Sequence, residues 1–256
     1  MIQLLKDLIS LVFYLFSFFA GAKNQLTLVY HSVSNIDKGS DPLKLNISPE
    51  LFAKQVSYLS KLSRITDIVV TFDDGFENFF HYAYPVLLRY NISSVLFITT
   101  GFIDRRISFD SLFSGVVKSS ALSWEQVNKI SQSGIEVGSH AVTHVNLACA
   151  PEADAIREIA DSKSRIENVT GKSVRYFAYP YGDRSAFNER IKKAVKDRGY
   201  ERAYTNIAGF NKQNADPYEL RRIRIYNTDN MFRFKMKLRG AYNWVDWLLG
   251  FGQNRI

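Results

Sequence analysis

A chain of 256 residues, 46% hydrophobic and 23% charged, can bury the core of one large domain, which excludes an intrinsically disordered protein. Its single cysteine, Cys149, excludes a disulfide scaffold and a thiolate zinc cluster. The 33 Lys and Arg outnumber the 25 Asp and Glu, and the resulting +8 suits a membrane surface, a phosphate-bearing lipid or nucleic acid, or serves solubility alone.

In chain order, the first apolar run is LISLVFYLFSFFA, Leu8–Ala20. As a helix it would reach about 20 Å, short of a hydrocarbon core of about 30 Å. Ala20-Gly21-Ala22 follows, a small-x-small pattern that suits cleavage after Ala22, whereas Asp7 cancels the charge of Lys6. Residues 1–22 therefore read as an export signal or uncleaved anchor, as an interfacial helix on the cytoplasmic membrane face, or as a plain core helix. With no second long apolar run, a polytopic membrane protein is excluded.

LTLVY reads as a buried strand ending at His31, and Pro49 to Leu62 has helical apolar spacing. DIVVTF is a second strand, stopping at Asp73-Asp74-Gly75; Phe79 to Tyr90 resumes helical spacing; SSVLFITTG is a third strand, closing at Gly101. Ser123 caps a helix from Trp124 to about Gly134, and IEVGSH is a fourth strand ending at His140. Pro151 opens a helix through Val169, VRYFAYP is a strand, a helix runs on through Arg198, and ERAYTN and LRRIRIY are further strands. Such alternation predicts parallel strands with right-handed crossovers in a single α/β domain, an open sheet or a barrel. In either, sites are built at the carboxyl ends of strands, where His31, Asp73, Asp74, His140, His144 and Tyr181 fall.

Arg221, Arg222, Arg224, Arg233, Lys235, Lys237 and Arg239 crowd a segment whose only acid is Asp229, and AYNWVDWLLGFG follows. Basic residues before Trp-rich amphipathic sequence suit a membrane interface; a solvated basic strand followed by a core-packed helix is the other reading. No nucleic-acid reader motif contains these residues.

Two of the four histidines form HAVTH, an i,i+4 pair that a helical turn would aim at one divalent ion, although capping or surface roles fit the same spacing. TFDDG places two carboxylates at a strand end, where a cation would offset their repulsion; an Asx turn with Gly75 is the plain alternative. One Asp and two His leave coordination positions open for water and substrate, the second Asp can act as base, and His31 is a candidate proton donor. His81, among Phe79, Phe80, Tyr82 and Tyr84, reads as a packed structural histidine, and Cys149 as a small buried residue.

TFDDG at Thr71–Gly75, SHAVTH at Ser139–His144 and FAYPYG at Phe177–Gly182, in that order, resemble the motifs of the polysaccharide deacetylases of NodB-homology type, carbohydrate esterase family 4. LVYHSV at Leu28–Val33 fits the branch that includes the poly-N-acetylglucosamine deacetylases of biofilm systems, in which the general-acid histidine comes first. The resemblance runs from about Leu26 to about Asn230. It implies a distorted (β/α)7 barrel over residues 23–235, preceded by a signal or anchor (1–22) and followed by an amphipathic segment (236–256). It also implies a metal-dependent hydrolase that removes N-acetyl groups from amino sugars of a polysaccharide or lipid-linked glycan. Asp73 would be the base, Asp74, His140 and His144 the ligands of one divalent metal, zinc foremost, with cobalt, nickel, iron or manganese able to serve. His31 would protonate the leaving amine and the Tyr181 N–H would bind the oxyanion. Tyr179, Pro180 and Arg222 are expected at the substrate, the tyrosines either stacking on sugar or belonging to the core. Many members carry an Arg where this chain has Ala178, a charge that Arg222 could supply to Asp73 instead; the late Asp-Trp motif is not evident. The partners implied are an N-acetylated glycan and a membrane surface, not nucleic acid, at the cell envelope or the cytoplasmic membrane face. A catalytically silent sugar-binding or assembly protein, or a peripheral membrane module, would keep the barrel without the full set of polar residues.

Overall fold

The computed structural model describes residues 6–11, 14, 25–35, 41–63, 66–108 and 120–244. Seven parallel strands form one curled sheet: β1 (Leu26–Tyr30), β4 (Ile68–Phe72), β5 (Ser94–Ile98), β6 (Glu136–Ser139), β7 (Tyr176–Ala178), β8 (Arg202–Tyr204) and β9 (Ile223–Arg224). Their spatial order is β9-β1-β4-β5-β6-β7-β8, so each strand lies beside its predecessor until β9 returns to β1. Leu220, just ahead of β9, bridges Tyr204 of β8, while Ile223 and Arg224 pair with Leu28 and Val29 of β1. One short segment thereby touches both sheet edges, giving the expected distorted (β/α)7 barrel. A small parallel pair, β2 (Ser32–Val33) and β3 (Asn46–Ile47), lies beyond β1.

Helices α1 (Pro49–Leu62), α2 (Tyr84–Tyr90), α3 (Thr100–Ile103), α4 (Trp124–Gln132), α5 (Glu152–Thr170), α6 (Glu189–Asp197) and α7 (Met231–Leu238) surround the sheet. Their starts follow the sequence: Ser48 caps α1 with Pro49 in its first turn, Ser123 and Gln126 form a capping box on α4, and Asn188 and Asn230 cap α6 and α7. The helix expected from Phe79 begins instead with a π-helical turn, Phe79–Ala83. Pro85 accounts for this: it lacks an N–H and its ring clashes with the carbonyl four residues back, which an extra residue in the turn displaces. The third strand stops at Ile98, because Thr100 and Gly101 donate their N–H groups to the Ala141 and Val142 carbonyls of the neighbouring loop.

Alternation along the strands sorts side chains to two sides. Leu28, Tyr30, Val70, Phe72, Leu96, Ile98 and Phe177 pack into the main core beneath the helices. Val95, Phe97, Ala178, Tyr204 and Leu220 form a second cluster in the barrel interior. Gly138 belongs to this side, since a Cβ there would come 2.5 Å from the Phe97 ring. The residues that continue the inward set past the strand ends are His31, Asp73 and His140, and their placement above the apolar cluster follows from this parity of two.

The basic segment is built into the fold, although Lys235 and Arg239 remain exposed. Helix α7 buries Phe234, Met236 and Leu238, Lys237 reaches Asp229 and the Arg224 carbonyl, and Lys235 lies 5.0 Å from the Tyr58 ring centroid. Residues 6–11 are helical and meet this region: Arg233 Nη2 and Asp7 are 2.5 Å apart, Tyr242 donates to Asp7, and the Trp244 indole donates to Ser10. Apart from Tyr14, the remaining residues of 1–22 lie outside the described residues, as do Trp247 through Phe251. Among the described residues no helix is long and apolar enough to cross a membrane.

Candidate metal centre and active site

Strand β4 is followed directly by Asp73 and Asp74, both buried at 1% exposure, with opposite electrostatics. Arg222 grips Asp73 with two parallel hydrogen bonds, Nη1 to Oδ1 at 2.7 Å and Nη2 to Oδ2 at 2.8 Å. The guanidinium is fixed in turn by the Thr205 carbonyl (2.8 Å), Thr71 Oγ1 (3.1 Å) and Asn206 Oδ1 (2.9 Å). Burial alone would raise the Asp73 carboxyl, but the charges of Arg222, His140 and His31 and the Arg222 hydrogen bonds outweigh it and hold the group at about 2.

Asp74 turns the other way because its backbone is left-handed, at φ 77°. Its Oδ1 lies 3.7 Å from His140 Nε2 and 3.5 Å from His144 Nε2, and neither of its oxygens accepts a hydrogen bond among the described residues. One potential ligand atom from each of the three residues lies within 4.8 Å of the others. A buried carboxylate without donors is costly, and burial together with the adjacent Asp73 charge, against a smaller opposing effect of Arg222, raises Asp74 well above the usual carboxylate range. Burial likewise lowers His140, and it lowers His144 to about 3, so both imidazoles are neutral and can offer a lone pair. His140 Nδ1 is 2.7 Å from the Ala178 carbonyl; an Nδ1–H donating there leaves Nε2 aimed at Asp74. An orphaned carboxylate facing two neutral imidazoles fits a divalent cation.

The histidine pair is not helical. Residues 141–144 form a loop with left-handed Ala141 (φ 62°) and His144 (φ 59°), pinned by Glu158 of α5, whose Oε2 accepts from the Val142 and Thr143 N–H groups at 2.8 Å each. His31 is half-buried, within electrostatic reach of Asp73, Arg222 and His140, and burial, partly opposed by the Asp73 charge, lowers it from 6.5 to about 4. Tyr181 lies on the open rim, 49% exposed, with its ring centroid 4.9 Å from that of His144. Its φ is 62°, and its N–H has no acceptor among the described residues.

Three residues expected at the substrate are placed otherwise. Tyr179 is fully buried, stacked on Phe187 at 4.7 Å and donating to the Tyr218 carbonyl, because it falls on the helix-facing parity of β7. Pro180 is buried. Arg222 has 0% exposure and serves Asp73, the second of the roles considered for it. Cys149 is exposed rather than buried, in the turn before α5. His81 is also exposed, 3.8 Å from Glu77, since it occupies the outer face of the π turn. Sequence reasoning missed Thr71, Thr205, Asn206 and Glu158. Of these only Thr71 carried a signal, as it precedes Asp73 by two residues and shares its face.

A parallel α/β barrel with a buried Asp-His-His cluster and an arginine-held aspartate at its strand ends defines the class of metal-centred hydrolase folds. Within that class, residues 63–203 match the family described as polysaccharide deacetylase, and the chain belongs to it. YxkH of Bacillus subtilis, which bears a polysaccharide deacetylase name, is 28% identical over 158 residues, 62% of this chain and 51% of its own length. The chain thus spans about half of that relative. The Staphylococcus aureus poly-beta-1,6-N-acetyl-D-glucosamine N-deacetylase is 23% identical over 233 residues, 87% of this chain and 76% of the relative. Among solved structures, the Streptococcus pyogenes deacetylase PplD in complex with acetate superimposes with a TM-score of 0.72 at 20% identity, covering 85% of this chain and 99% of PplD. IcaB from Ammonifex degensii gives 0.70 at 24% identity, covering 86% and 98%. These two likenesses carry the fold.

Proposed function

We propose that this protein is a metal-dependent hydrolase that removes N-acetyl groups from the amino sugars of a polysaccharide. The observation that carries the reading is the pair of adjacent buried carboxylates, one locked by Arg222 and the other left facing His140 and His144. Asp74, His140 and His144 would hold a divalent cation, zinc foremost. Such a cation supplies Lewis acidity that polarises the amide carbonyl and acidifies the attacking water, which suits a base as weak as Asp73.

Each remaining step falls to a residue of this chain. Asp73, ionised and fixed by Arg222, accepts the proton that water loses as it attacks the carbonyl carbon. The carbonyl oxygen gains the electron pair, and the Tyr181 N–H, which has no acceptor among the described residues, would donate to it. His31 delivers a proton to the nitrogen as the C–N bond breaks, releasing acetate and the free amine. A neutral His31 cannot do so; negative charge developing on the oxyanion favours its protonated form. Rim exposure lets Tyr181 meet a sugar ring, a role that buried Tyr179 cannot share.

Acetate release from soluble N-acetylglucosamine oligomers, with metal-loaded protein beside Asp73→Asn, tests the reading. Release lost in the variant is expected. No release from protein that holds one metal ion per chain would favour the silent sugar-binding alternative.

The finer features belong to the same proposal: residues 1–22 as a signal or anchor, residues 23–235 as the catalytic domain, residues 236–256 as an amphipathic segment, and a place at the cell envelope in contact with a membrane surface. The apolar run at Leu8–Ala20 and the Trp-rich stretch after Lys237 support that location. A basic strand meeting a lipid phosphate has less support, since Arg222 is buried and Arg221 points at the Ala208 carbonyl. Flotation with anionic lipid vesicles checks the membrane contact; protein that stays at the bottom of the gradient overturns it.

A further inference from the structure

We propose that Glu158 is a positioning residue that sets the metal affinity of the His140–His144 loop from outside the ligand set, an inference resting on the metal-centre reading above. Both imidazoles hang from one four-residue step in which Ala141 and His144 are left-handed, a conformation that costs non-glycine residues about 1 kcal/mol or more each. Two loop carbonyls are bound from α3, by the Thr100 and Gly101 N–H groups. On the donor side, the Ala141 N–H goes to Ser139 Oγ at 3.2 Å, and the next two N–H groups share one side chain. Glu158 Oε2 accepts the Val142 and Thr143 N–H groups at 2.8 Å each, and Oε1 accepts the Thr143 hydroxyl at 2.6 Å. All three bonds fall between the two histidines. Glu158 is thus a resident anion in a concave run of backbone donors, holding the loop in the one shape that aims both Nε2 atoms at Asp74.

The base of this support is rigid. Glu158 sits mid-helix in α5, between buried Ala155 and Ile159, and α5 is tied to β6 through Ser162 and Ser139, whose hydroxyls are 2.6 Å apart. Helix α5, the strand carrying His140, and the loop therefore form one unit, and Glu158 is the link from helix to loop. Partners behind metal ligands typically govern affinity by ten- to a hundredfold.

A carboxamide can take over the role, its oxygen accepting both N–H groups while its NH2 faces Thr143 Oγ1, which turns to accept. The test therefore compares Glu158→Gln with Glu158→Ala in the full chain. Zn2+ affinity is measured by competition with a chromogenic chelator, the Co2+ ligand-field spectrum reports coordination geometry, and amide hydrogen exchange follows Val142 and Thr143. Glu158→Ala is expected to weaken Zn2+ binding about ten- to a hundredfold, to alter the Co2+ spectrum and to speed exchange at those two amides, with the β4 and β5 amides unchanged. Glu158→Gln is expected to stay within about threefold of the parent on the affinity scale. Should Glu158→Ala not fold, Thr143→Val, which removes one of the three bonds and keeps the β-branched shape, is expected to weaken Zn2+ by a smaller factor in the same direction. Parent-like affinity and parent-like exchange in Glu158→Ala, or in Thr143→Val as its substitute, overturn the role of Glu158 alone. A parent protein that binds neither Zn2+ nor Co2+ overturns the metal-centre reading beneath it.

Discussion

Asp73 and Asp74 are chain neighbours, equally buried, and electrically opposed, so acid and metal removal act on them in contrary ways. Asp73 holds its proton only to about pH 2 in the fold, against 3.8 ordinarily, so it contributes about 2 kcal/mol that is present above pH 4 and is lost as the pH falls towards 2. His31 and His144, lowered from 6.5 to about 4 and about 3, contribute stability that is lost in an earlier window, as the pH falls below 6.5. Metal-free protein should therefore show a melting midpoint that declines from pH 6.5 downwards and more steeply below 4, and His144→Asn should flatten the upper part of that curve. Asp74 behaves inversely: its folded proton affinity is raised, so it costs stability as the pH rises above 3.8. Asp74→Asn is expected to raise the metal-free melting midpoint at pH 7 by several degrees while abolishing metal binding, checked by calorimetry with and without Zn2+. Removing the other partner, Arg222→Ala, leaves a buried unpaired carboxylate; the expected loss is about 3–5 kcal/mol by urea titration, with acetate release falling at least about a hundredfold.

At the scale of elements, the strands were legible where both faces are buried and the sequence is a continuous apolar run. The carboxyl ends of β1, β4 and β6 placed His31, Asp73 and His140 on one rim from sequence alone, and in the fold the parity of two along these strands turns them inward. The same parity hid Tyr179, since β7 is only three residues long and its register cannot be read from so short a run. Tyr179→Phe should cost about 1 kcal/mol of stability and leave KM unchanged, whereas Tyr181→Ala should leave the melting midpoint unchanged and raise KM; urea titration and steady-state kinetics separate them. The histidine pair was legible as a pair but not as a loop, because its conformation is imposed from α3 and α5 rather than by local propensity. Arg222 was linked to Asp73 only through the resemblance, as a substitute for the arginine absent at Ala178, because a contact that spans 149 residues leaves no local pattern. The supporting Thr205 and Asn206 carry no local pattern at all. Packing sets one further limit: Gly138→Ala would drive a Cβ to 2.5 Å from Phe97, and about 1–3 kcal/mol of destabilisation is expected in thermal melts.

Across the whole molecule, ion pairing leaves the net charge of +8 unchanged but engages several basic residues of the C-terminal part. Arg222 neutralises Asp73, Arg233 pairs with Asp7, and Lys237 with Asp229. The Asp7 contact also joins residues 6–11 to α7, although the pair is 22% exposed on each side and correspondingly weak. Asp7→Ala should lower the melting midpoint by only about 2 °C and leave acetate release unchanged.

The closing segment, Leu220–Arg224, joins β8 to β1 and also delivers Arg222 to Asp73. During synthesis the ribosome releases Asp73, Asp74, His140 and His144 well before residue 222. A nascent chain at that stage holds two adjacent acids with no arginine between them and the solvent, and its barrel stands open. Closure of the barrel and arming of the base are therefore a single late event. A chain cut short before that strand is expected to be open at its seam and to lack the arginine that holds Asp73.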